Sequence, residues 1–194
     1  MLERPLRSYG FPCVVLGQDV LAQAILYLDG PGGKIRFLQP GTSPEVRLKK
    51  LCPDRTWTPI PLGFREVPYA CLTLHEGKAC RMLLDTGAAM TRIPLILARD
   101  LGLEPSGTGV GRDGTGKMTE RPVYPLLNLR LGEWDIDLEV DSGPFGVLGF
   151  DVLRRLHVVI DGPGKMLWVA GPAEGESPVL RVVKKRNGGL APPS

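Results

Sequence analysis

Met82-Leu83-Leu84-Asp85-Thr86-Gly87-Ala88-Ala89 is the stretch on which the reading of this chain turns. Leu83 and Leu84 lead straight into a carboxylate. A hydroxyl, a glycine and two alanines follow. An apolar run of this kind buries itself as a strand. A charge at its end is costly to bury unless it is paired or hydrogen-bonded. Gly87 permits a tight turn and close approach of another backbone. The pattern therefore describes a carboxylate held at a sharp bend in a low-dielectric place. One such Asp does little alone. Two that face each other share a proton and split their pKa values, which gives an acid and a base in one site.

The surrounding composition fits a β-rich domain. The 194 residues are 43% hydrophobic and include 25 Gly and 19 Pro. That length allows one domain and a part of another. Gly and Pro at this level suit short strands joined by turns and argue against a helical bundle. A net charge of +3 is too small to imply a nucleic-acid partner. Part of the surplus lies in Arg181, Lys184, Lys185 and Arg186, in a tail that reads as solvated.

Cys13, Cys52, Cys71 and Cys80 form no C-x-x-C pair, so zinc is not expected; no other metal and no cofactor is expected either. A two-residue turn at Glu76-Gly77 would set Cys80 opposite Thr73, which argues against a Cys71–Cys80 disulfide. Free thiols and a reducing, cytoplasmic compartment are expected. The N-terminus lacks a signal-peptide layout. Gln18, Asp19 and Gln23 interrupt the apolar stretch from Phe11 to Leu28, so no membrane partner is expected.

Two blocks recur. Val15-Leu16-Gly17-Gln18-Asp19-Val20-Leu21 matches Val147-Leu148-Gly149-Phe150-Asp151-Val152-Leu153, and Asp29-Gly30-Pro31-Gly32 matches Asp161-Gly162-Pro163-Gly164. Both matches lie 132 positions apart (17 and 149, 29 and 161). Two blocks in one register indicate an internal repeat. After one extra glycine, Lys34–Phe37 is set against Lys165–Trp168. Each copy reads as a strand, a glycine, a short helix, a second strand, a D-G-P-G turn and a closing strand. This is the end of a lobe, so residues 1–38 read as a partial copy without the lobe's body.

Residues 39–63 read as a linker, punctuated by seven Pro and Gly residues, with a helical turn only at Val46–Leu51. Residues 64–171 read as the full lobe. Tyr69–Leu74 and Lys78–Leu84 form a hairpin turning at Gly77 and delivering Asp85. Leu95–Leu101 is helical, opened by Pro94 and capped by Gly102. Gly107 to Lys117 is glycine-rich. Pro122–Leu131 and Trp134–Val140 alternate as strands around Gly132. Residues 172–194 read as a flexible basic tail, with one short strand at Val179–Val183.

The Asp85–Ala88 motif, the glycine-rich segment after it and Val147-Leu148-Gly149 stand in the order and spacing of one lobe. In this the chain resembles the retropepsin-like branch of the aspartic proteases, whose motif is Asp-Thr-Gly-Ala. The resemblance implies a mostly β fold: an acid-protease closed β-barrel lobe with short helices, here preceded by the partial lobe-end repeat. It implies an aspartic endopeptidase acting on peptide or protein substrate, with Asp85 catalytic and Thr86, Gly87 and Ala88 forming the active-site loop. Gly109, Gly111, Asp113, Gly114 and Gly116 would belong to a flap that closes over an extended peptide. No second Asp-Thr-Gly is present, so the resemblance implies a homodimer that supplies two Asp85 carboxylates, with Thr86 hydrogen-bonding across it.

Two departures are visible. Phe150 stands where retroviral members usually carry Arg, and Ala89-Met90 replaces their acidic pair. The first argues against an interface ion-pair network of the viral type, and both weaken any transfer of viral substrate preference. The N-terminal copy raises a second possibility. Terminal strands of both partners form the interface sheet in this family. If residues 13–38 occupy that surface within one chain, the lobe is a monomer with an incomplete dyad. The chain would then be a catalytically silent peptide-binding or dimerisation module, or a fragment of a two-lobed enzyme.

Three other patterns carry less. Gly111 to Lys117 fits the start of a phosphate-binding loop, but Met118 stands where Ser or Thr should meet magnesium, and Pro122 disfavours the required helix. Asp141-Ser142-Gly143 follows Asp85 by 56 positions (141 − 85), too few for a second lobe of about a hundred residues, and Asp141 reads as a turn residue. His75 and His157 lack the activated serine that a Ser-His-Asp site needs.

Overall fold

A computed structural model describes residues 17–64, 68–74, 78–112, 117–132 and 134–171. The chain is mostly β. Among the described residues twelve strands form one sheet, in the order β2 (Lys34–Leu38), β1 (Ile25–Asp29), β11 (His157–Asp161), β12 (Met166–Ala170), β3 (Thr58–Phe64), β4 (Pro68–Leu74), β5 (Ala79–Leu84), β10 (Gly146–Leu148), β6 (Arg92–Pro94), β9 (Trp134–Gly143), β8 (Met118–Leu131) and β7 (Gly107–Arg112). Alternation explains several of them. In β5 (Ala79–Leu84), Cys80, Met82 and Leu84 are buried while Ala79 and Arg81 face out. In β9 (Trp134–Gly143), Ile136, Leu138 and Val140 turn inward. These side chains join Leu129, Leu131, Leu148, Val152 and Leu156 in the main core. Each fully buried aliphatic side chain contributes about 1.5–3 kcal/mol.

The sheet as a whole has two edges, β2 (Lys34–Leu38) and β7 (Gly107–Arg112), and so departs from the closed barrel expected. A further pairing of β4 (Pro68–Leu74) with β8 (Met118–Leu131) covers only Thr73↔Arg130 and Leu74↔Leu129.

Strand β11 (His157–Asp161) is buried along its whole length, because it is covered on both faces and paired on both edges. On one edge it pairs with β12 (Met166–Ala170), and on the other with β1 (Ile25–Asp29). One face joins the main core through Val158 and Ile160. The other packs Val159 with Ile25, Tyr27 and Leu48. Leu48 comes from helix α2 (Pro44–Leu51), whose start is fixed by Ser43, with its Oγ 3.5 Å from the Val46 N–H, and by Pro44 in the first turn. Arg47 of the same helix reaches Asp161 at 3.2 Å.

The stretch 39–63 is thus not a bare linker. Besides α2 it contains most of β3 (Thr58–Phe64), which pairs first with β12 and then with β4. The prolines that argued against a strand are accommodated by phase. The Leu62 N–H donates to Lys165 O at 3.0 Å, so even-numbered residues aim their N–H at β12. Pro59 and Pro61 turn their missing donors the other way.

Other local expectations meet specific geometry. Helix α3 (Leu95–Asp100) ends with Gly102 at φ 62°, whose N–H donates to Arg99 O at 2.9 Å while Leu103 N–H donates to Ala98 O at 3.0 Å. Gly132 takes φ 66° between β8 and β9. Cys80 stands opposite Leu72, not Thr73, one residue out of the register expected. Residues 75–77, with the Gly77 turn, and Val179–Val183 lie outside the described residues. The glycine thought to be inserted before Lys34 is no insertion. Gly33 (φ 61°) stands at the position of Lys165 (φ 51°), so β2 aligns with β12 from Lys34 and Met166 onward. Among the described residues no helix is long and apolar enough to cross a membrane.

Candidate active site

Two adjacent parallel strands build the site. β5 and β10 (Gly146–Leu148) pair in parallel with Gly146↔Met82, Val147↔Leu83 and Leu148↔Leu84. Asp85 and Gly149 therefore leave the sheet side by side. Their loops are stitched together by backbone hydrogen bonds. Asp85 N–H donates to Leu148 O at 3.2 Å, and Phe150 N–H donates to Ala88 O at 2.8 Å. Both loops open toward the same end of the sheet because both strands run the same way.

The Asp85 carboxylate is aimed by its own turn. Gly87 N–H donates to Oδ1 at 2.8 Å, and Ala88 N–H donates to Asp85 O at 3.2 Å. A Cβ on Gly87 would lie 3.1 Å from that same Oδ1, so a larger residue would have to push the carboxylate aside by a few tenths of an ångström. The low-dielectric burial expected for Asp85 is corrected. It is half-buried, and Thr86 and Gly87 beyond it are exposed. It sits at the rim of the core, above buried Leu84, where a turn must reach solvent.

The second loop rests on a network that the sequence did not reveal. Thr91 is 1% exposed. Its Oγ1 donates to Asp151 Oδ1 at 2.8 Å and accepts from Gly149 N–H at 3.1 Å. Its own N–H donates to Asp151 Oδ2 at 3.0 Å. Asp151 stands in the first turn of the short helix α4 (Phe150–Leu153) and also accepts from Val152 N–H at 2.9 Å. Gly149 fits against this chain so tightly that a Cβ would lie 2.6–2.8 Å from backbone atoms of Met90 and Thr91. In the sequence Asp151 reads only as an acid suited to a helix start, and nothing marks Thr91 as its partner.

Asp141 is corrected as well. It lies in β9, not in a turn, and is 8% exposed. Arg92, in β6 (Arg92–Pro94), clamps it through Nε at 2.7 Å and Nη2 at 3.1 Å. Arg121 of β8 approaches at 3.5 Å. The parallel pairing Arg92↔Asp141 places both residues on adjacent strands with their side chains on one face. A buried carboxylate needs such partners.

Of the proposed flap residues, Gly109 and Gly111 lie on edge strand β7 and face Arg121 and Thr119 across the hairpin with β8. Asp113, Gly114 and Gly116 lie outside the described residues. In the pairing order β10, β6, β9 and β8 intervene between β5 and β7. Asp85, Thr86, Gly87 and Ala88 are brought together in one turn, and the structure adds Gly149, Thr91 and Asp151 to their support. Among the described residues no three His, Cys, Asp or Glu side chains gather as a metal-holding group.

Residues 72–155 match the family model described as aspartyl protease. Among solved structures the chain is similar to a retropepsin-like aspartic protease from Rickettsia conorii, with 18% identity and a TM-score of 0.45 over 61% of this chain and 92% of that one. It is also similar to the protease of Simian Foamy Virus (mac), with 20% identity and a TM-score of 0.33 over 42% of this chain and 86% of that one. No curated protein matches it.

Proposed function

We propose that this chain is an aspartic endopeptidase that hydrolyses peptide bonds with a water held between two Asp carboxylates. Asp85 is one of them, and Asp85 of a second copy is the other. One carboxylate is ionised and takes a proton from the water. The other is protonated and polarises the peptide carbonyl. The observation that carries this reading is the Asp85 turn itself: a carboxylate oriented by the Gly87 N–H, solvent-accessible, and tied to the Gly149 loop by strand pairing. Thr86 joins the two copies below the dyad. The hairpin of β7 and β8, with Gly109, Gly111, Asp113, Gly114 and Gly116, closes over an extended peptide by strand addition.

A second reading is favoured by one observation. The outer edge of β11 is already paired with β1 of the same chain. A lobe so covered, with a single Asp85, is a silent peptide-binding module or part of a two-lobed enzyme. Cleavage of an unfolded protein from about pH 3 to 7, beside Asp85→Asn, separates the two. A general acid–base group is worth roughly 10²–10⁴ in rate. Cleavage that rises with the dimer fraction and falls by at least that factor in the variant supports the enzyme. Peptide binding with no cleavage in a proven dimer refutes it.

A further inference from the structure

The pairing of β1 with β11 is symmetric in a way that ordinary strand pairing is not. Tyr27 faces Val159, and these two residues are themselves 132 positions apart, the spacing of the two copies. The remaining partners follow in mirror order: Leu26↔Ile160 and Leu28↔Val158. Flanking hydrogen bonds are reciprocal. Gly30 N–H donates to Leu156 O at 3.0 Å, and Gly162 N–H donates to Ala24 O at 3.0 Å. Each glycine approaches the other copy's helix end. A Cβ on Gly30 would strike Leu153 O and Leu156 O, and one on Gly162 would strike Leu21 O and Ala22. The turns match too, with Asp29 Oδ1 accepting from Gly32 N–H and Asp161 Oδ1 from Gly164 N–H, both at 2.9 Å. Helices α1 (Gln18–Leu21) and α4 begin alike, with Leu21 N–H to Gly17 O at 3.0 Å and Leu153 N–H to Gly149 O at 3.1 Å.

Residues 17–38 and 149–170 are thus related by a local two-fold axis through Tyr27 and Val159. A surface that accepts its own copy by a two-fold is isologous, so a second chain can meet it by the same contacts. The replacements are compatible: Leu26 and Leu28 correspond to apolar Val158 and Ile160. His157 Nδ1 approaches Asp29 Oδ1 at 3.5 Å, and the same register between two β11 strands would set His157 opposite Asp161. The N-terminal copy brings the strand pair. Val20 is 39% exposed, whereas its counterpart Val152 is wholly buried under its own lobe.

We propose that β11 is a two-fold self-pairing strand and that residues 17–38 hold its outer edge in place of the same segment of a second copy. The seated segment keeps the chain monomeric. Its displacement opens the edge to the second chain, which brings the second Asp85. This inference deepens the endopeptidase reading and rests on it only for that last step.

The test uses the full chain with Gly30→Val, which drives a side chain into the carbonyls of Leu153 and Leu156 and leaves residues 58–171 unaltered. Leu28→Asp, which puts a charge on the core-facing side of β1, serves as an independent second variant. Each is also made with Val159→Cys, because on a true two-fold axis position 159 of each chain meets its counterpart. The expected result is a 21.1 kDa wild-type monomer, a doubled sedimentation mass in the variants, and an interchain disulfide that requires Val159→Cys. Added synthetic peptide of residues 17–38 should return the variants to monomer. A wild-type dimer with β1 amides still protected from exchange would overturn the proposal. So would variants that stay folded and monomeric, or the failure of both to fold, which would make residues 17–38 an obligatory part of the core. A cross-linked dimer that cleaves nothing would leave self-pairing standing and sink the endopeptidase reading alone.

Discussion

Thr91→Val tests the support of the paired loops. Valine keeps the shape and removes one oxygen. Two hydrogen bonds go: Thr91 Oγ1 to Asp151 Oδ1 at 2.8 Å, and Gly149 N–H to Thr91 Oγ1 at 3.1 Å. The first is to a carboxylate, and such bonds contribute about 1.5–3 kcal/mol. Asp151 is half-buried and keeps the N–H groups of Thr91 and Val152, so the low end, about 1.5 kcal/mol, applies. The second loss strands a buried donor, because Gly149 is enclosed by the Met90–Thr91 backbone. An unmet buried N–H costs about 1–3 kcal/mol. Together the variant should lose about 3 kcal/mol. Equilibrium urea unfolding reads this as a lower midpoint with the slope unchanged. Thr91→Ser keeps the hydroxyl and gives up one methyl, so it should lose only about 1 kcal/mol. A loss below about 0.5 kcal/mol in Thr91→Val, or equal losses in Val and Ser, would refute the hydrogen-bond account.

Further outcomes follow from other contacts in the fold. Gly149→Ala places a Cβ against backbone that cannot rotate away and should cost about 3 kcal/mol or more, the upper end for overpacking. Gly107→Ala, where a Cβ meets open space, should stay within about 0.5 kcal/mol in the same unfolding assay. Arg92→Met leaves the Asp141 carboxylate buried with Arg121, at 3.5 Å, as its remaining ion-pair partner among the described residues, and breaking such a pair costs about 3–5 kcal/mol. Arg130→Met breaks an ion pair of the same 2.7 Å length whose arginine is 54% exposed, and thermal unfolding should show less than about 1 kcal/mol. Burial, and then the hydrogen bond with Cys52, pushes the Tyr27 phenol well above its usual range. Its contribution is fully present below about pH 10, the value in an unfolded chain, and is lost as pH rises beyond that. Urea midpoints from about pH 8 to 11 should therefore fall more steeply in the wild type than in Tyr27→Phe.

The elements that the sequence determined alone are local ones. Leu83 and Leu84 running into Asp85-Thr86-Gly87 specified a strand that ends in a carboxylate turn, and the structure has that turn after β5. Leu95–Leu101 followed by Gly102 specified a capped helix, because a left-handed cap needs glycine within a few residues of the last turn. The D-G-P-G segments specified two alike turns through their own aspartates.

What the tertiary structure alone decided depends on residues far apart in sequence. Pro59 and Pro61 argued for a linker, and the phase of β3 against β12 made a strand of it. Asp141 looked like a turn residue until Arg92, on a neighbouring parallel strand, made its burial affordable. Thr91 and Asp151 are each unremarkable, and the antiparallel pairing of β10 with β6, Val147↔Arg92, sets one beside the other. Local sequence fixes dihedral preference and which face is apolar. It does not fix which distant strand lies on an edge, because that pairing is chosen by the burial of the whole core. The same holds for β11. Its sequence shows a buried strand with a copy near the N-terminus, and the fold decides that the copy lies against its edge.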